Sequence, residues 1–269
     1  MRRRLAAGVL AALLGLGCVS PPGSPRPEGP PLATGDPRPA QFLTRLRALA
    51  EQRRALRGRA RVHLEGPAGR SSSRQLLLLQ RPARLRVEVL GLLGQRLAIL
   101  TSDGRSYALW QAPGRSLERG SVSPELLWRV AKLPLRPASA VRLLLAAPPI
   151  PEGPPLSARE DGDGGIRLRW SHASLDFDAR GRLRGYRLRG ESEGEPALEV
   201  HFDDYGDVAG TPFPRHLWLQ AQSSRAELRF REVELNPQLP IGLFRLELPG
   251  SSPAPDAGGS AALGGGEGP

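Results

Sequence analysis

Residues 84–100 read RLRVEVLGLLGQRLAIL. Leu85, Val87 and Val89 alternate with Arg84, Arg86 and Glu88. That period of two sets one face of a β-strand against a core and the other toward solvent. The run breaks at Leu90-Gly91-Leu92-Leu93-Gly94-Gln95, where two glycines permit a tight turn. It resumes with apolar residues in both phases, Leu97 and Ile99 as well as Ala98 and Leu100. A strand of this kind is covered on both faces. The stretch therefore reads as an antiparallel hairpin whose second strand is doubly buried.

The same periodicity extends outward. Upstream, Ala60, Val62 and Leu64 alternate with Arg59, Arg61, His63 and Glu65. Downstream, Asp103-Gly104 between apolar runs marks a hairpin, with positive φ expected at both turn positions. Tyr107 and Leu109 then interleave with Ala108 and Trp110, again apolar in both phases. Further strands are expected at Ile166–Trp170, Leu175–Phe177, Leu183–Arg189, Leu198–Phe202, Leu217–Gln220, Ala226–Leu235 and Phe244–Leu248, which makes about eleven in all. Leu183 and Tyr186 differ in parity across Gly185, which predicts a bulge.

Helical periodicity occurs twice. Phe42, Leu46, Leu49 and Leu56 share one helical face near the start. Ser123 and Pro124 supply an N-cap and a first helical residue before Leu126, Leu127 and Val130. A second mid-chain helix runs through Val141, Leu143 and Leu144 to Leu145, and Pro148-Pro149 stops it. A long antiparallel sheet with a few helices is an α+β arrangement, and those helices are what is available to cover one face of the sheet.

The ends read differently. Arg2, Arg3 and Arg4 precede the apolar run Leu5–Leu16, and Gly15-Leu16-Gly17 lead into Cys18, the chain's single cysteine. This is the layout of a secretory signal over residues 1–17. The run is too short for a membrane span, which needs ~20 apolar residues. It resembles a bacterial lipoprotein signal, in which the cysteine becomes the lipidated first residue. That resemblance implies export and a lipid anchor on Cys18, and the signal leaves the choice of inner or outer membrane open. Residues 18–35 are rich in Pro and Gly and read as a tether, whose reach is roughly 50 Å at ~3.1 Å per residue. One globular domain is expected over residues 36–250 and a disordered tail over residues 251–269.

Composition excludes several functions. The formal charge is +11, but Lys132 is the single lysine, and the arginines lie in the solvent phase of alternating strands. Nucleic acid is not an expected partner. His63, His172, His201 and His216 lack zinc-ligand spacing. Asp161-Gly162-Asp163-Gly164-Gly165 has glycine at the third calcium-ligand position and His172 at the twelfth, so it reads as a turn. No nucleophile elbow or phosphate-binding loop occurs. No catalytic residue, metal or cofactor is expected.

Three features resemble the bacterial lipoprotein-sorting family, which comprises a LolA-like periplasmic carrier and a LolB-like outer-membrane receptor that is itself a lipoprotein. The first is the lipoprotein signal followed by a leading helix and an antiparallel run. The second is Leu90–Gln95, which is similar to the receptor's loop; Leu92 stands where that family has proline, and Leu93 takes the place of its exposed leucine. The third is Leu133-Pro134-Leu135 followed by Leu143-Leu144-Leu145-Ala146-Ala147-Pro148, with Ala146 where glycine is usual. The ending Phe244-Arg245-Leu246-Glu247-Leu248-Pro249 is similar to the carrier.

The resemblance implies an incomplete, half-open antiparallel barrel whose helices cover a concave face that receives acyl chains. On that basis Leu85, Val87, Val89, Leu97, Ile99, Tyr107 and Leu109 line the cavity from the sheet. Leu126, Leu127, Leu143 and Leu144 line it from the helices, and Leu92 and Leu93 form a membrane-inserting loop. The expected partners are lipoprotein acyl chains or another lipid, a periplasmic lipoprotein carrier and the membrane, with the chain itself a monomer. The family resemblance also implies a place on the periplasmic face of the outer membrane. Without nucleotide hydrolysis, acyl chains must pass by affinity differences alone. The alternative is an envelope scaffold lipoprotein that uses the same fold to bind a protein.

Overall fold

In the computed structural model, which describes residues 28–67, 69–112, 114, 116–131, 135–189 and 196–246, the alternating segments become fourteen strands. They are β1 (Glu28–Pro31), β2 (Ala55–Gly66), β3 (Gly69–Gln80), β4 (Arg84–Leu90), β5 (Arg96–Ser102), β6 (Ser106–Gln111) and β7 (Ser116–Ser121), then β8 (Ser157–Asp161), β9 (Gly165–Arg169), β10 (Ala173–Phe177), β11 (Leu183–Arg189), β12 (Pro196–Val208), β13 (Thr211–Ala221) and β14 (Ser224–Leu235). Helix α1 is Arg38–Gln52, and α2 (Leu126–Ala131) and α3 (Pro137–Leu144) fall between β7 and β8. The strands join in the order β1-β8-β9-β10-β11-β12-β13-β14-β2-β3-β4-β5-β6-β7. The sheet is unclosed, and the class is α+β as expected. Cys18, the signal segment and the tail lie outside the described residues.

Four strands exceed the expectation. β1 lies inside the presumed tether, β3 opens on the polar run Arg70–Gln75, and β7 and β8 are short and polar. None of them alternates cleanly: β3 and β7 are exposed along much of their length, and β8 is half-buried at four successive positions. The expected last strand differs too: Ile241–Phe244 is a 3-10 helix, and residues 247 and 248 lie outside the described residues.

The chain folds as two compact units, and β2, β3 and β14 contribute residues to both. One unit holds β1, α1 and β8 to β13. Asp36 accepts the Arg38 N–H at 2.9 Å and fixes the start of α1. Leu43 and Leu46 are the buried residues of α1. The Phe42 and Phe177 rings meet with centroids 5.6 Å apart. Gly181, at φ +74, lies under the Phe42 ring, where a Cβ would come within 2.6 Å of ring carbon. Leu56 is in β2 and fully buried, so it is not part of the helical face the sequence suggested. The phase change at Gly185 is a register shift: Asp176 pairs with Gly185, whereas Phe177 pairs with Leu183.

The other unit holds β4 to β7, α2, α3 and the C-terminal segment, with most of β3. Ala60 and Val62 are buried while Arg59 and Arg61 are exposed, as their alternation requires. Asn236, at φ +55, accepts the Arg54 and Ala55 N–H groups, and its own N–H donates to the Ala55 carbonyl. This tie starts a return segment whose Leu239 and Phe244 pack with Ala55 and Leu78.

Candidate functional site

Strand register assigns the expected lining residues of the sheet, Leu97 apart, to a face. Leu77 and Leu79 of β3 pair with Val87 and Leu85 of β4. Val87 and Val89 pair in turn with Leu100 and Ala98 of β5, and Leu100 pairs with Leu109 of β6. Ser102 pairs with Tyr107. One face therefore carries Leu85, Val87, Val89, Leu100, Tyr107 and Leu109.

Ile99 pairs with Glu88 and Trp110, and so lies on the opposite face. Leu97 falls at a register shift, between the Val89–Ala98 and Leu90–Arg96 pairs, and has no partner in β4. The sequence reading placed Leu97 and Ile99 in the lining, and the register corrects it for Ile99: a strand apolar in both phases leaves its phase undetermined, and Leu100 takes that place. Leu97 is 38% exposed and Ile99 is buried.

The helices identify which face is covered. Helix α3 packs against β4. Arg129 of α2 stands over the Tyr107 ring, 5.0 Å from its centroid, and its guanidinium also meets the Tyr107 hydroxyl and the Glu118 carboxylate. Tyr107 donates to Glu118 at 2.6 Å. That hydrogen bond and the Arg129 charge hold the Glu118 carboxyl below its ordinary range. Gly120, opposite Tyr107, makes room for the ring, since a Cβ there would come within 2.9 Å of it.

Leu126, Leu127 and Leu143 are buried, and Leu144 is half-buried. Leu85 and Tyr107 are buried on the helix-covered face, while Val87, Val89 and Leu109 are half-buried. The other face meets the return segment, through Arg86 to the Leu243 carbonyl at 3.1 Å and Arg119 to the Leu246 carbonyl at 3.1 Å.

The end of α3 shows why glycine is usual there. Ala146 follows the C-cap residue Leu145 with φ +49, the left-handed conformation that closes many helices. Buried Arg53 donates to the Leu145 carbonyl at 3.3 Å, a cation at the negative end of the helix.

Between β4 and β5 the loop Gly91–Gln95 presents Leu92 and Leu93 outward, 92% and 94% exposed. Its backbone is nonetheless closely tied. Gly91 N–H donates to the Gln95 carbonyl at 2.8 Å, and Gly94 N–H, at φ +83, donates to the Gly91 carbonyl at 3.1 Å. The Gln95 side chain accepts the Leu93 N–H at 3.1 Å. It lies so close over Gly91 that a Cβ there would meet it at 2.5 Å. The Arg74 guanidinium donates to the Gly91 carbonyl at 2.6 Å and to the Leu92 carbonyl. Arg74 escaped the sequence reading, because its partners are backbone carbonyls seventeen and eighteen residues away.

Beside the loop, buried Glu88 takes Arg96 at 2.6 Å and Arg86 at 2.7 Å. Burial opposes its ionisation, but these hydrogen bonds outweigh that and hold the carboxyl below the ordinary range.

No protein-family model matches the chain, and no curated sequence is significantly similar to it. Its fold does match solved structures. A LolA superfamily protein from Nitrosomonas europaea superposes with a TM-score of 0.51 at 13% identity, over 76% of this chain and 97% of that one. This chain has the fold of the LolA superfamily. Beside that LolA-type match, an outer membrane lipoprotein-sorting protein domain from Vibrio parahaemolyticus aligns at TM-score 0.46 and 9% identity, covering 76% and 94% of the two chains. A DUF1329 family protein from Desulfovibrio piger aligns at 0.48 and 5%, covering 76% and 95%.

Proposed function

We propose that this protein is a lipid-anchored receptor of the bacterial outer membrane, which takes acyl chains of lipoproteins against the helix-covered face of its sheet and delivers them to the bilayer. The observation that carries the reading is the pair Leu92 and Leu93, almost fully exposed on a loop whose backbone is pinned by Arg74 and Gln95. Exposed leucines contribute nothing to a core. In a bilayer each is worth about 1.5–3 kcal/mol. The apolar face beneath α2 and α3 supplies half-buried Val87, Val89 and Leu109 for the acyl chains, with buried Leu85 and Tyr107 beside them. Cys18 carries the anchor.

No covalent chemistry is needed. A long acyl chain represents on the order of 10 kcal/mol of buried methylene, so release into water is too costly and transfer must pass from one apolar environment to the next. A loop that dips into the bilayer beside the binding face shortens that step.

The test is transfer of a purified acylated lipoprotein to liposomes by the parent protein and by Leu93→Glu. The substitution should leave thermal stability within about 0.5 kcal/mol, as exposed sites do. It should retain cargo and slow delivery. Delivery at the parental rate by a stable Leu93→Glu would refute the role of the loop. Native mass spectrometry checks the binding half: co-purifying lipid supports it, and a lipid-free protein that captures a protein partner instead would support a scaffold.

A further inference from the structure

The leucines do not stand alone at this end of the sheet. Leu90 pairs with Arg74 of β3 on one side and with Arg96 of β5 on the other, so the two arginines flank it in register where the loop begins. Strands lie about 4.8 Å apart, which sets these two side chains roughly 10 Å from each other across the base of the loop. Arg74 is exposed and Arg96 is 59% exposed in its side chain. Arg74 spends Nη2 on the loop carbonyls, and Arg96 spends Nε on Glu88. Among the described residues no partner is recorded for the remaining guanidinium N–H groups of either. Arg86 and Arg96 share the carboxylate of Glu88, and Arg74 meets no carboxylate among the described residues.

The loop also closes part of its own backbone. The carbonyls of Gly91, Leu92 and Gln95 and the N–H groups of Gly91, Leu93 and Gly94 are all satisfied within the hairpin or by Arg74. A loop entering hydrocarbon with those groups open would incur a desolvation cost for each. Arg74 thus closes the Gly91 and Leu92 carbonyls and places a cation at the base of the tip.

We infer that the β4–β5 tip docks on an anionic phospholipid surface, with Arg74 and Arg96 meeting lipid phosphates while Leu92 and Leu93 enter the acyl layer. This rests on the insertion role proposed above and adds the lipid class. Guanidinium groups bind phosphate oxygens through paired N–H donors and are weakly hydrated, which suits them to the headgroup layer.

Because Cys18 is the single cysteine, Cys18→Ser with Leu93→Cys leaves one thiol for an environment-sensitive fluorophore at the loop itself. The full chain so labelled is titrated with vesicles of phosphatidylcholine alone and of phosphatidylcholine mixed with phosphatidylglycerol. The blue shift should reach half-maximum at about tenfold less lipid when phosphatidylglycerol is present, and raised salt should close the gap. Adding Arg96→Gln should narrow the preference about fivefold, the worth of one basic side chain near an anionic surface, and leave the phosphatidylcholine curve unchanged. Arg96→Lys should restore most of it. Equal blue shifts on both lipids, or a preference that Arg96→Gln leaves intact, would overturn the headgroup assignment while sparing loop insertion. A fluorophore that shifts on neither would remove the insertion role as well. The salt dependence of the parent needs no arginine variant and stands as a test if Arg96→Gln is poorly folded.

Discussion

Glutamate placed at Val87 and at Leu97 separates the register-defined lining from the one the sequence suggested. Both residues were candidates for the acyl-binding face. Val87 lies on the helix-covered face between Leu77 and Leu100, half-buried. Leu97 sits at the register shift at the start of β5 and is 38% exposed. A carboxylate at position 87 keeps access to water in the free protein, so the fold should lose only about 1–2 kcal/mol. An acyl chain lying across it forfeits roughly four methylene contacts at ~0.8 kcal/mol each, about 3 kcal/mol, which weakens binding by a factor of at least about a hundred. Leu97→Glu should change neither stability nor acyl binding by more than about 0.5 kcal/mol. Ile99→Glu, at a position 7% exposed, should instead unfold the protein, because it buries an unpaired charge away from the lining. The assay is displacement of a fluorescent fatty acid, with thermal melts run alongside. Parental affinity in a folded Val87→Glu, or lost affinity in Leu97→Glu, would refute this lining.

Other outcomes follow from single contacts. Gly91→Ala should push the Gln95 carboxamide off the loop, seen as faster hydrogen exchange at the Leu93 amide with little change in melting temperature. Leu85→Ala, buried on the covered face, should cost about 2–5 kcal/mol in urea unfolding, in contrast to either loop leucine. Asp103 is opposed by burial but accepts the Ser106 and Arg105 N–H groups, the Ser106 hydroxyl and Arg245, and its pKa falls to about 2. A depressed carboxyl stabilises the fold above its unfolded value near 4 and ceases to do so as pH falls toward 2. With solvent screening allowed for, Asp103→Asn should remove about 1–2 kcal/mol at neutral pH and flatten the acid limb between pH 4 and 2. A variant with an unchanged acid limb would show that those bonds do not stabilise the fold. Cys18→Ser should abolish acyl labelling in cells, and a retained label would end the lipoprotein reading.

Alternation located β2, β4 and much of the run from β9 to β14, where one face is polar and one apolar, whereas β5 and β6 were legible as runs apolar in both phases. It failed at β3, β7 and β8, where exposure or double burial erases the period. The Asp103-Gly104 turn was placed correctly, but its chemistry differs. Only Gly104 has positive φ, +94, whereas Asp103 acts as a side-chain acceptor for the two following N–H groups. The sequence marks such a residue as turn-forming without saying which of its two roles it takes.

Local pattern thus determined the class, the hairpin with its glycine-flanked leucines, the mid-chain helices and the departure from glycine at Ala146. These depend on φ/ψ preference and on side-chain period, both of which are carried by neighbouring residues. Only the tertiary structure decided that Ile99 faces away from Leu85, Val87 and Val89, because pairing register is set by the adjoining strands. It alone brought Arg74 to the loop and Arg129 to Tyr107. Those contacts join residues on separate elements, and a guanidinium on a flexible stem carries no mark in the sequence of the partner it will meet.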